Sequence, residues 1–214
     1  MKRIILTILS LYVITSVSAQ NNEPFCCIKK GAELEYQTTD PKGKETGRSI
    51  TKITEATGEN GNYTITQTIS TFVEGTEIFG PMTVTTTITD GNASVALGGG
   101  AAIDVTSDAP IIPANLSVGQ ELATGTLSIN MSGIKSTQEI SSHKVVGRED
   151  ITTSAGTFDC FIVEQEYVAK VAFIKVKGKQ KIWYARGVGN VQTETYDKKG
   201  KLASRQVLIS ATGL

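Results

Sequence analysis

An excess of charge is missing from this chain: 21 Lys and Arg stand against 21 Asp and Glu. A balanced chain carries no electrostatic footprint for nucleic acid, so no nucleic-acid partner is expected. Histidine is nearly missing too. His143 is the single one, and there is no Cys-x-x-Cys pair, so no zinc-ligand set is present and no metal is expected. Neither a Gly-x-Ser-x-Gly elbow nor a His-Glu-x-x-His motif occurs. No motif asks for a cofactor. Beyond residue 17 no apolar run is long enough to span a membrane, so no transmembrane segment is expected in the mature chain. Proline stops at Pro113, so every later backbone amide can join a hydrogen-bond ladder. A 3.6-residue apolar period is absent after the first 20 residues.

What is present begins with "MKRIILTILSLYVITSVSAQ". Lys2 and Arg3 precede an apolar stretch from Ile4 to Val17, and Val17-Ser18-Ala19 supplies the small residues a signal peptidase needs. The expectation is a signal peptide over 1–19, cleaved after Ala19, and an exported chain in the periplasm or outside the cell. "EPF" precedes Cys26 and Cys27, which is not the box of a lipid-anchored cysteine. Residues 20–214 are long enough for one large β-domain.

The remainder reads as strands. In "YTITQTISTF", Tyr63, Ile65 and Ile69 alternate with Thr64, Thr66, Thr68 and Ser70. "MTVTTTIT" and "LSINM" repeat the pattern, which is that of half-buried strands. "DPKGK", "GENGN", "TDGN", "KGK" at Lys177–Lys179 and "DKKGK" read as turns. The fold class expected is all-β: a single antiparallel sheet, curled as an open barrel or half-barrel, with hairpins at the three KGK-type turns. A closed barrel and a sandwich remain alternatives. The proline-free half is expected to supply the central strands. "GGGAAIDVTSDAPIIPANL" reads as a mobile loop or a crossover between sheets.

Asp40, Lys42, Gly43, Lys44 and Arg48 recur at equal offsets as Asp197, Lys199, Gly200, Lys201 and Arg205. The echo is either a paired basic site or one hairpin turn used twice. Turn chemistry explains the Asp and the Gly, so the second reading is favoured.

Cys26, Cys27 and Cys160 are an odd set in an oxidising compartment. A bond between neighbours strains the backbone between them, so a disulfide from Cys160 to Cys27, or to Cys26, is expected. It would contribute roughly 3–5 kcal/mol by closing a long loop. The competing role for Cys160 is a small core hydrophobe.

"KIWYARGVG" holds the single Trp. Alternation sends Trp183 to one face and Tyr184 and Arg186 to the other, with Gly187 and Gly189 marking a bend. Trp183, Tyr184 and Arg186 are the candidate ligand- or partner-binding residues, weighed against a packed corner. No catalytic residues are assigned. Glu164 and Glu166 share a strand face and could form an acid pair, but Lys175, Lys177, Lys179 and Lys181 lie on the strand expected to pair with theirs. His143 is expected to be exposed.

"TTSAGTFDCFIVEQEY", "FIKVKGKQKIWYARGVGNVQTETYDKKGKL" and "PANLSVGQEL" resemble the TapB-like exported proteins of Gram-negative envelopes, which are related to the domain-of-unknown-function family 3108. The resemblance spans nearly the whole mature chain and is specific in its last third. It implies an exported antiparallel β-domain with no established activity, and it supplies no catalytic residues. The expected function is a non-catalytic β-module that binds a lipid-like apolar ligand or an envelope protein. A carboxylate-dependent hydrolase or transferase is the alternative.

Overall fold

The computed structural model of the protein describes residues 23–89, 92–98, 103–107, 112–131, 134–171 and 174–214. The expected signal segment lies outside the described residues, as does its cleavage site. Among the described residues the chain forms twelve strands and no helix. They are β1 (Glu33–Thr39), β2 (Glu45–Glu59), β3 (Asn62–Val73), β4 (Thr76–Thr89), β5 (Asn92–Gly98) and β6 (Ile103–Ser107). Next come β7 (Gly125–Met131), β8 (Ile134–Thr153), β9 (Gly156–Val171), β10 (Ile174–Ala185), β11 (Gly189–Asp197) and β12 (Leu202–Thr212).

All twelve join one antiparallel sheet in the order β5-β4-β3-β2-β1-β12-β11-β10-β9-β8-β7-β6. Sequence neighbours pair as hairpins, and β1 closes on β12. The sheet is open: no ladder joins β5 to β6 among the described residues. It is also curled. Ser154, at the tip of the β8–β9 hairpin, donates from Oγ to the carbonyl of Ile209 on β12 across 2.6 Å, although three strands lie between β8 and β12 in the order. The expected all-β, curled, open antiparallel sheet is therefore the observed one.

The proline-free half supplies β7 to β12, while both edge strands lie in the half that carries proline. Pro81 is inside β4, but at a register break: Ile69 pairs with Met82 and Thr71 with Phe79, so the ring lies in a bulge and blocks no rung. The glycine-rich middle does not cross between two sheets. It carries the chain from the β5 edge to the β6 edge, and residues 99–102 and 108–111 of it lie outside the described residues.

Two of the three KGK segments are turns. Asp40 Oδ1 accepts from the amides of Lys42 and Lys44 at 2.8 and 2.9 Å. Asp197 Oδ1 accepts from Lys199 and Lys201 at the same two distances. Gly43 and Gly200 adopt φ of 82° and 74°, the left-handed region glycine enters without strain. The echo is thus one turn built twice, on hairpins that are neighbours in the sheet because β1 pairs with β12. The third segment is a correction. Gly178 lies inside β10, paired with Tyr167 on one side and Asp197 on the other. A Cβ there would come within 2.6 Å of the Tyr196 carbonyl and 2.7 Å of the Tyr167 hydroxyl. Close packing, not a turn, demands the glycine.

Two apolar clusters form. The larger joins Leu34, Ile53, Ile65, Cys160, Ile162, Trp183, Ala185, Val191 and Leu208 with Cys27 and Ala32 of the N-terminal segment. The smaller joins Leu122, Val145 and Val163, with Ile112, Leu116, Phe161 and Tyr184 packed around them. Alternation along β9 and β10 feeds both: Cys160, Ile162, Trp183 and Ala185 serve one face, and Phe161, Val163 and Tyr184 serve the other.

His143 is buried rather than exposed, with 3 % of its surface accessible. A register shift between Ile140 and Ser142 breaks simple alternation along β8. His143 then shares a face with the fully buried Val145, and its Nδ1 lies 2.9 Å from the Ala123 carbonyl.

The expected disulfide is not formed: Cys26, Cys27 and Cys160 are free thiols. Cys160 pairs in register with Ala185, and Ala185 with Gly189. A Cβ on Gly189 would touch the Cα of Cys26 at 3.5 Å. All three cysteines belong to one apolar cluster, in which Cys27 and Cys160 are buried and Cys26 packs against them, so each thiol serves as a small core hydrophobe.

Candidate functional site

The Trp183 corner is packed on both faces. Trp183 is 4 % exposed, and its indole N–H donates to Glu149 Oε1 at 2.7 Å. The Lys181 ammonium lies over the indole, 5.0 Å from its centroid. Tyr184, on the opposite face, packs in the smaller cluster, and burial pushes its hydroxyl up to about 12. Residues 119–122 cover that side: Gly119 donates to the Val145 carbonyl at 2.8 Å, and Leu122 to the His143 carbonyl at 2.8 Å.

Arg186 serves the N-terminal segment. Its Nη1 donates to the Glu23 carbonyl at 2.9 Å, and its guanidinium stacks on Phe25, 4.5 Å from the ring centroid. The amide of Gly187 donates to the Pro24 carbonyl at 2.9 Å. Phe25 also meets Phe161 edge-on, with centroids 5.8 Å apart, and the Arg148 guanidinium lies over the Phe161 ring, 5.1 Å from its centroid. Asp159 grips Arg148 with both carboxylate oxygens. Residues 23–27 are thus a strap clasped around the β10–β11 turn. A hollow of about 410 Å³ remains beside it, bordered by Arg148, Asp159 and Arg186. Its cations are already engaged by protein oxygens and rings. Trp183, Tyr184 and Arg186 are neighbours in sequence that serve three different environments.

A second concavity lies elsewhere. A cleft of about 420 Å³ lies over β8 to β11, lined by Lys144, Glu164, Glu166, Lys179, Lys181 and Tyr196 among others. Register builds it. Glu121 bridges to Lys144, Lys144 pairs with Glu164, Glu164 with Lys181, Lys181 with Glu194, and Glu194 with Arg205. Charge alternates in sign at every step across the sheet. Two of these links close as ion pairs, Lys144–Glu121 at 2.8 Å and Arg205–Glu194 at 2.6 Å; two residues along the strands, Lys179 and Glu166 pair at 2.6 Å. Burial pushes the Glu194 carboxyl up, but bonds from the Tyr196 hydroxyl and from Arg205 more than offset this and hold it below the usual carboxylate range. Tyr196 is pushed up to about 12, by burial first and then by the carboxylate it bonds.

The central rung behaves differently. Glu164 and Lys181 are directly opposite in register, yet they do not bridge to each other among the described residues. Lys181 leans onto Trp183 instead, while Lys144, the partner of Glu164 on its other side, is drawn to Glu121. The cleft therefore presents a carboxylate and an ammonium side by side. The lysines were legible in sequence as partners of Glu164 and Glu166. Their convergence with Tyr196 and Lys144 was not, because those come from other hairpins. Among the described residues no group of three or more His, Cys, Asp or Glu side chains could hold a metal ion. No helix there is long and apolar enough to cross a membrane.

The family model described as DUF3108-like matches residues 29–208. Two crystal structures share the fold. One is a Bacteroides fragilis NCTC 9343 protein with a YmcC-like fold, inferred to be exported; the TM-score is 0.75 at 19 % identity, over 89 % of this chain and 99 % of that one. The other is an inferred lipoprotein of Parabacteroides distasonis ATCC 8503, with a TM-score of 0.72 at 19 % identity and the same coverage. Among curated proteins none matches.

Proposed function

The chain belongs to the DUF3108-like family, and from that premise we propose that it is an exported, non-catalytic β-module that binds a polar component of the cell envelope. The observation that carries this reading is the charged cleft: an open concavity on a continuous sheet, lined by lysines and glutamates of both signs. The signal segment over 1–19, cleavage after Ala19, a single domain over 20–214 and a periplasmic or extracellular location belong to the same reading. The structural neighbours, inferred to be exported or lipid-linked, support it.

The apolar-ligand version has less support. It needs a hollow beside Trp183, and that face is filled by Cys160, Ile162, Ala185 and Val191. The catalytic alternative at Glu164 and Glu166 is also less supported. Glu166 is tied to Lys179, and the lone histidine is buried on the Val145 side of β8, so it offers no base to the cleft.

The test is native mass spectrometry of the protein purified gently from a Gram-negative periplasm. A polar adduct should be retained and should be lost when Lys144→Glu and Lys179→Glu are combined. Turnover in a broad hydrolase and transferase screen, abolished by Glu164→Gln with Glu166→Gln, would reverse the reading.

A further inference from the structure

We infer that the cleft selects zwitterions: Lys181 takes the anionic end of a small ligand and Glu164 its cationic end. This rests on the binding-module reading and narrows it to one ligand chemistry. Glu164 and Lys181 face each other in register, so their Cβ atoms lie about 5 Å apart. An ammonium and a phosphate or carboxylate separated by a few atoms match that spacing. Each of the two groups has its in-sheet neighbour drawn elsewhere, Lys144 to Glu121 and Glu194 to Arg205. A zwitterion satisfies both groups when it displaces water from the cleft. A ligand with one charge leaves either the carboxylate or the ammonium desolvated and unpaired, and is disfavoured for that reason. Lys144 is neutralised by Glu121 outside the lining, and the flanking pair Lys179–Glu166 repeats both signs, so the remaining lining charges are balanced between a simple anion and a simple cation. The cleft volume of about 420 Å³ suits a molecule the size of a dipeptide or a glycerophosphoethanolamine, not a polymer.

Titration calorimetry with glycerophosphoethanolamine and with diglycine tests this, with glycerol phosphate and ethanolamine as single-charge controls. At least one zwitterion should bind, and both controls should bind roughly tenfold more weakly or worse, one charge-assisted contact being lost. Glu164→Gln and Lys181→Met should each weaken binding by a similar factor. The swapped variant, Glu164→Lys with Lys181→Glu, keeps both charges and should recover zwitterion binding, which separates lost contacts from lost folding. Vesicles of phosphatidylethanolamine distinguish the source. Sedimentation with them, and not with phosphatidylglycerol vesicles, identifies a lipid headgroup. Binding of the soluble compounds alone identifies a free zwitterion. Controls that bind as well as the zwitterions, zwitterion affinity indifferent to Glu164 and Lys181, or no binding of either zwitterion would overturn the inference. An adduct that still depends on Lys144 and Lys179 would then leave the broader binding-module reading standing.

Discussion

Trp183 on β10 and Glu149 on β8 are joined across the intervening strand β9 by an indole-to-carboxylate hydrogen bond of 2.7 Å. The bond satisfies the one polar atom of a nearly buried side chain. Glu149→Leu should leave that N–H unpaired and cost about 1–3 kcal/mol. Glu149→Gln keeps an acceptor and should cost less. Urea unfolding followed by Trp183 fluorescence measures both, and equal midpoints for the two variants would contradict the role given to this bond.

The strap predicts a second result. Phe25 is 6 % exposed and is held by Phe161 and Arg186. Phe25→Ala should lower stability by about 3 kcal/mol and make residues 23–27 quick to exchange amide hydrogen. Exchange confined to the strap would show that the sheet survives its release. No change at Gly187, whose amide is bonded to Pro24, would count against the clasp.

Thiol chemistry gives a third. Burial pushes the Cys26 and Cys160 thiols up to about 12. The native protein should therefore react slowly with a thiol reagent near pH 8, since the thiolate is the nucleophile. Denatured without reductant, it should titrate as three thiols. A count of one would restore the disulfide.

Stability should fall in mild acid because of His143. Burial lowers its pKa, and the bond to Ala123 only partly opposes this. The unfolded chain takes up the proton near the ordinary value of about 6.5, while the folded chain resists it. The contribution is complete above the unfolded value and is lost as the pH falls through it toward the folded pKa. Urea midpoints between pH 7.5 and 5 should decline, and His143→Gln should flatten that decline. The carboxylates of Asp159 and Glu194, also held low, act at more acid pH.

The sheet was legible because it follows from local signals: period-two alternation and Asp-Gly turn chemistry repeated at Asp40 and Asp197. Gly178 misled because the same Lys-Gly-Lys letters serve a turn in two places and a close approach of Tyr167 and Tyr196 in the third. His143 misled because one bulged residue on β8 changes which face it serves. The cleft was only half legible. The lysines opposite Glu164 and Glu166 lie on the next strand, but Lys144 and Tyr196 reach the cleft through pairings that no short window contains. The thiols misled because sequence gives their count and not the burial that makes all three part of one apolar cluster.

The pairing of β1 with β12 has a consequence for how the chain reaches its fold. Thr39 and Arg205 meet although 166 positions separate them, whereas the sheet's other ladders join strands adjacent in sequence. Topology of this kind makes one slow, late event out of an otherwise local process. Gly213 already lies against Ala32, so β12 ends beside the entry to β1, and a flexible linker could join residue 214 to the strap that precedes it. Opening the chain between Gly98 and Ile103 would then convert the distant ladder into one more hairpin. Such a circular permutant should keep the sheet and refold faster than its parent in stopped-flow fluorescence, because its order along the chain would match its order across the sheet.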